Sequence, residues 1–219
     1  HRSPTTAAAL AALAAGATPE RLFRSEAFGR EMQPTRVAAA HSEARDVALS
    51  LDKADVVVVL DGDILNNESS PIKNAKGFAK RRRIEAGDMN RLYVAEACPS
   101  VTGMAADHRL RVQARQILDL AKALAVALAQ AGVPVSAEVL TACGSPKLSE
   151  AQSKWVAACA KDLADKQGAG LIAAGVRQPP AVHALVAALN HGLGNVGKTV
   201  SYIPQVDLVE GSMKGLEDL

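Results

Sequence analysis

Two rhythms of apolar residues run along this chain. Through residue 53 the pattern is helical. An alanine-rich stretch that Thr5 and Thr6 can cap runs to about Gly16, Pro19-Glu20 opens a second segment, and Pro34-Thr35 precedes a third over 36–51. These segments predict a helical preface lying over one face of a sheet. At Asp55 the pattern changes. Val56-Val57-Val58-Val59-Leu60 is continuous rather than alternating, and it is bounded by Asp55 and by Asp61-Gly62-Asp63. Such a run reads as a strand buried on both faces, as central parallel strands are. A helix over 70–83 and a strand over 91–96 follow, completing one β-α-β unit.

The alternation continues downstream. Residues 113–131 place Ile117, Leu120, Leu124 and Leu128 on one helical stripe. Residues 133–140, interrupted early by Pro134, read as an edge-strand candidate. Ser149-Glu150-Ala151-Gln152 is a capping box opening a helix on which Trp155, Cys159 and Leu163 share a face. Residues 170–175 form a short buried strand. Pro179-Pro180 starts a helix with Val182, Leu185, Val186 and Leu189 inward, and 199–203 is a last strand. The whole predicts an α/β fold: a doubly wound, mostly parallel, Rossmann-like sheet with an N-terminal helical preface. The expected organisation is a segment 1–53 packed on the main domain, the α/β domain over 54–203, and a tail over 204–219.

Composition narrows the function classes. The chain has 219 residues, ample for a core without staples. About a fifth of them are alanine, above ordinary usage, which favours closely packed helices. Basic and acidic residues number 25 and 23, and aromatics make up 3%, so no electrostatic footprint for nucleic acid is present. No stretch of about 18 strongly apolar residues occurs, which argues against a membrane-spanning helix. Cys98, Cys143 and Cys159 are too scattered for a local metal-ligand motif. The chain begins at His1 with no initiating methionine, and we expect a piece of a longer subunit.

One motif invites nucleotide binding. Gly192-Leu193-Gly194-Asn195-Val196-Gly197-Lys198-Thr199 matches the Walker A pattern. A P-loop needs a strand before it and a helix after it, so that the helix N-terminus faces the phosphate. Here helical periodicity precedes the loop and a β-branched run follows it. The bland reading, a helix C-cap turning into a strand, is favoured.

Several stretches together resemble the molybdopterin oxidoreductase family. They are 54–65 (Ala-Asp-Val-Val-Val-Val-Leu-Asp-Gly-Asp-Ile-Leu), 78–83, Met89-Asn90-Arg91-Leu92-Tyr93-Val94-Ala95-Glu96, 102–110 and, most specifically, Gly175-Val176-Arg177-Gln178-Pro179-Pro180 continuing into Asn190 and the 193–199 turn. The likeness spans 54–203 and is nearest the molybdopterin-like part of the fused molybdopterin/iron–sulfur subunit of alternative complex III, a quinol-oxidising respiratory complex. Working members of the family hold molybdenum or tungsten on two pterin dinucleotides, bound by loops at the carboxyl ends of parallel strands. The resemblance places the cofactor-facing set at Asp61, Asp63, Glu96 and Ser100, with Glu96 as a carboxylate able to accept from a guanine edge. The family's Asp-Pro-Arg and Arg-Pro-Gly-Thr-Asp segments are replaced here by 96–100 (Glu-Ala-Cys-Pro-Ser) and 112–116 (Val-Gln-Ala-Arg-Gln). This departure agrees with a pterin-free branch, in which those four residues are vestigial.

The resemblance therefore implies a scaffold portion of an electron-transfer subunit, with no catalytic residue, cofactor or metal of its own. Iron–sulfur clusters would lie elsewhere in the parent. Its partners would be other sections of that parent and neighbouring subunits of a membrane complex, and its location extracytoplasmic. One alternative is half of a functional enzyme binding molybdopterin guanine dinucleotide; another is a P-loop protein using 192–199. Individual residues also have plainer readings. Asp61 and Asp63 suit turn capping, Arg81-Arg82-Arg83 a solvated helix end, and His108 a structural hydrogen bond. His183 and His191 are too far apart on one helix to share an ion.

Overall fold

A computed structural model describes residues 4–16, 45–83, 85, 87 and 89–204. Helix α1 (Pro4–Gly16) matches the first predicted helix. The second predicted helix, after Pro19, lies outside the described residues. The third is corrected where it can be seen: Arg45–Leu49 is a strand, β1, followed by a 3-10 turn at Leu51–Lys53. Then come β2 (Val56–Leu60), α2 (Pro71–Lys80), β3 (Arg91–Glu96), a single helical turn α3 (Val101–Met104) and β4 (His108–Arg111). Helices α4 (Ile117–Gln130), α5 (Ala137–Cys143) and α6 (Glu150–Asp165) precede β5 (Gly170–Ala174), α7 (Pro180–Gly192) and β6 (Val200–Pro204).

The main sheet is four-stranded, wholly parallel, in the order β4-β3-β2-β5. The chain winds outward through β2, β3 and β4, then crosses back to lay β5 on the far side of β2. This is the doubly wound α/β arrangement. β2 is buried at all five positions, as its unbroken apolar run requires. Val56, Val58 and Leu60 enter a core shared with Ile117, Leu120 and Leu124 of α4, and with residues of α6 and α7. Val57 and Val59 enter a second core with Leu51, Ile64, Leu92 and Val200. Ala121, Ala125 and Ala160 are buried on the packed helices α4 and α6. Small residues let such axes approach closely.

One further sequence expectation fails, and another is met away from the main sheet. The 133–140 edge strand is instead a turn followed by α5. Ser136 stands at the N-cap of that helix, its hydroxyl accepting from the Val139 N–H at 3.4 Å. The 199–203 strand forms, yet it leaves the main sheet and pairs antiparallel with β1, Leu49 opposite Val200. The Ser149–Gln152 capping box is present in both directions.

Side chains cover part of each sheet edge. Asn190, fully buried on α7, donates from Nδ2 to the Ile172 carbonyl at 2.8 Å and accepts from the Ile172 N–H at 3.1 Å. It thus imitates a neighbouring strand on the open edge of β5. Asn195 donates in turn to Asn190 Oδ1 at 3.0 Å. On the opposite edge, the Trp155 indole donates to the His108 carbonyl of β4 at 3.1 Å. Tyr93 stacks on the exposed His108 ring and meets Trp155 edge-on.

Charge pairs bind the amino-terminal end. Arg81 reaches Asp55 at 2.5 Å, and Arg82 grips Asp107 through both terminal guanidinium nitrogens at 2.8 and 2.6 Å while lying over Phe78. The arginine run is therefore only partly a solvated helix end, with Arg83 exposed. Burial opposes ionisation of Asp162, but hydrogen bonds from Tyr93 and Arg91 outweigh it and hold the carboxyl below its usual range. Asp107 is lowered in the same way, against burial, by Arg82 and the Leu92 N–H. Burial and the bond to Asp162 raise the Tyr93 phenol well above its ordinary value.

Two outcomes follow. Asn190→Leu, which leaves both Ile172 backbone groups buried without partners, should lower stability by about 2–4 kcal/mol in urea denaturation. A depressed folded-state carboxyl contributes stability that is present above the unfolded value, about 3.9, and is lost as pH falls through the lower folded one. Stability should therefore decline below about pH 4, and Asp162→Asn should flatten that decline in melts taken across the acid range.

Candidate functional site

In open α/β sheets, ligands bind outside the carboxyl ends of the strands, at the point where the winding reverses. Here that point lies between β2 and β5. All four expected residues reach this end of the sheet: Asp61 and Asp63 in the loop after β2, and Glu96 and Ser100 at the end of β3 and the start of α3. Each is engaged within the protein.

Asp61 leaves β2 with a φ of 52°, a left-handed conformation that aspartate tolerates better than most residues. Its N–H donates to the Ala95 carbonyl at 2.7 Å. One carboxylate oxygen accepts from the Ala97 N–H at 3.0 Å and the other from Gln178 Nε2 at 2.7 Å. It therefore ties the ends of β2 and β3 to the loop after β5. Asp63 accepts from the Thr102 N–H at 3.0 Å and hydroxyl at 2.8 Å, and from Asn66 at 3.1 Å. Both aspartates cap turns, and both also bridge segments distant in sequence.

Glu96 is 2% exposed. Its carboxylate accepts from Arg109 Nε at 2.5 Å and from the Ser100 hydroxyl at 2.6 Å. Ser100 Oγ accepts in turn from the Gly103 N–H at 2.9 Å, capping α3. A Cβ at Gly103 would fall 1.9 Å from Glu96 Oε1, so only glycine leaves room for the carboxylate. Arg109 came to notice in the sequence only within the resemblance; its role needs β4, a short strand the periodicity did not reveal.

The crevice itself is filled by main chain. The Gly175 N–H donates to the Leu60 carbonyl at 2.9 Å. A Cβ on Gly175 would lie 1.8 Å from the Asp61 carbonyl oxygen, and one on Gly62 would lie 3.0 Å from Gly175 Cα. In dinucleotide-binding folds, glycines here let a pyrophosphate approach the backbone. Here they let two backbones meet.

Two openings are found nearby and at the opposite end. A pocket of about 50 Å³ lies beside the switch point, between α7 and the β1–β6 ribbon, lined in part by Ile64, Ala174 and Val186. That volume suits a few waters, against the roughly 300–1,000 Å³ of ligand pockets. At the amino-terminal end, an open groove of about 600 Å³ is lined by Asp55, Arg81, Arg91, Asp162, Asp165 and Lys166, three charges of each sign. Among the described residues, no group of three or more His, Cys, Asp or Glu side chains is placed to hold a metal ion. Cys98 is exposed, whereas Cys143 and Cys159 are buried and their thiols are raised by burial.

The Walker-like segment runs helix, turn, strand: α7 ends at Gly192 and β6 opens at Val200. Asn195 and Thr199 are buried, and Thr199 Oγ1 donates to the Gly170 carbonyl at 2.5 Å. The turn thus fastens the start of β5.

The fold and the geometry define an α/β protein of the Rossmann-like class. Comparison of the chain with protein-family models and with curated proteins gives no match. Gly175→Ala should cost about 3 kcal/mol or more, because backbone rather than a flexible side chain must move. Equilibrium denaturation measures this. A loss under about 1 kcal/mol would mean that the two loops are not held in contact.

Proposed function

We propose that this chain is a non-catalytic scaffold, a Rossmann-like portion of a pterin-free molybdopterin-oxidoreductase-like domain within an electron-transfer subunit. The parent would carry out its redox chemistry on iron–sulfur clusters held outside this chain. Partners would be other sections of that parent and adjoining subunits of an extracytoplasmic, membrane-associated complex. One observation carries the reading. The position where this class of fold takes its ligand is occupied by the protein's own backbone and by carboxylates that already have donors.

A pterin dinucleotide does not fit these residues as they stand. Glu96, the acceptor such a ligand would need, is buried beneath Arg109 and Ser100. Freeing it would give up both the Arg109 ion pair and the Ser100 hydrogen bond. Nucleotide affinity would be lowered by the loss of those bonds before any contact formed.

Titration calorimetry with guanosine diphosphate should detect no binding at millimolar nucleotide, and Glu96→Ala should change nothing. Purified protein should lack pterin fluorescence and stoichiometric molybdenum, tungsten or iron by elemental analysis. Binding that weakens in the Glu96→Ala variant would favour the dinucleotide-binding alternative instead.

A further inference from the structure

Among the described residues, helix α2 carries an outer face that is exposed. It exposes Ile72, Lys73, Lys76, Ala79 and Lys80, while Asn74 is buried and Gly77 rests against the Asp52 main chain. At 3.6 residues per turn, Ile72, Lys73, Lys76 and Lys80 fall within an arc of about 100°. Exposed Arg83 lies just beyond the helix end. The ten residues of α2 include no aspartate or glutamate. Among the described residues, none of these four cations forms an ion pair, although the adjacent Arg81 and Arg82 both do. In a chain with 25 basic and 23 acidic residues, this is a local excess of one sign.

Exposed apolar side chains stand on α2 and on the turn α3. Ile72 is 84% exposed, Met104 74% and Val101 44%. Their helices hang from one loop: Asn74 Nδ2 donates to the Ile64 carbonyl at 2.9 Å, and the next residue's N–H, that of Leu65, donates to Thr102 Oγ1 at 3.1 Å. Both helices are thus anchored to the same loop, α2 through Asn74 and α3 through Thr102.

We propose that this surface docks on an anionic lipid bilayer, with Lys73, Lys76, Lys80 and Arg83 over the headgroups and Ile72, Val101 and Met104 entering between them. Charge sign and residue type select this occupant. Protein interfaces favour arginine and disfavour lysine, whose ammonium is strongly hydrated. Lysines beside exposed aliphatic residues suit a charged plane approached without full desolvation. A polynucleotide is disfavoured because the stripe is only about 15 Å long and offers no aromatic ring for a base.

The test is co-sedimentation of the full chain with vesicles of phosphatidylcholine alone or with about one third phosphatidylserine, at low salt and at ~0.5 M salt. Binding should require phosphatidylserine and vanish at high salt. Each basic residue near such a surface contributes about fivefold in partition, so K73E/K76E/K80E should weaken binding by about a hundredfold or more. I72S/M104S should weaken it several-fold and leave the salt dependence intact. All five positions are exposed, so unchanged thermal melts verify folding. Three results overturn the proposal: no sedimentation with phosphatidylserine at low salt, equal sedimentation with phosphatidylcholine alone, or binding unaffected by charge reversal. Preferential capture of a single-stranded oligonucleotide over vesicles at equal phosphate would also overturn it, in favour of a nucleic-acid surface.

Discussion

Val56–Leu60 sets the terms for everything around it. Five consecutive apolar residues alternate between two faces, so neither face can be left to water, and the strand must lie at the centre of a sheet covered on both sides. An aspartate stands at each end. Asp55 donates its N–H to Ala169 and accepts at its carbonyl from Arg91, while its carboxylate meets Arg81 and Lys166. Asp61 does the corresponding work at the other end, joining Ala95, Ala97 and Gln178. The strand's backbone ladder holds β3 and β5 along its length, and its two flanking aspartates fasten both neighbours where the ladder stops. Burial of five such side chains is worth on the order of 10 kcal/mol against an extended chain, an upper value that makes the strand's position non-negotiable.

A sheet of only four strands has exposed edges as its weak point. The open groups of an edge strand would template pairing with another chain. Asn190 supplies a donor and an acceptor to Ile172 where a fifth strand would supply them, and Trp155 covers one carbonyl of β4. β4 adds a second defence, since Arg109 and Arg111 place cations along it. The β1–β6 ribbon then closes the lower core without joining the sheet, through Leu49 and Val200. Among the described residues, each edge of the small sheet is thus partly covered by the protein's own side chains.

How much of this was legible in the sequence depends on how local the causes are. The continuous run of β2, the Ser149 capping box and Pro180 at a helix start all act within a few residues, and each was readable. β1 was hidden because its reason for being a strand lies about 150 residues away, in its register with β6. β4 is four residues long and three of them are polar, so a period of two had too little length to register. Across 133–140 the apolar run suggested a strand, while the Ser136 N-cap that opens α5 is a single weak signal. The site shows the same division. Turn capping by Asp61 and Asp63 was foreseeable from residue type, but Gln178 lies 117 residues from Asp61, and Arg109 reaches Glu96 only because β4 pairs with β3.

The carboxyl end of the sheet therefore shows why position within a fold does not settle function. The same chemistry that recruits a ligand there, glycines permitting close approach and carboxylates lacking donors, also serves to lock loops together once the donors come from the protein itself. Gly62 and Gly175 admit a backbone instead of a phosphate. Arg109 and Ser100 take the Glu96 carboxylate, and Gly103 exists as glycine because that carboxylate needs its space. A ligand would have to displace several mutually supporting bonds at once, and bonds that share partners are lost together rather than singly. The network's cohesion, more than the identity of any one residue in it, is what the proposed scaffold role rests on.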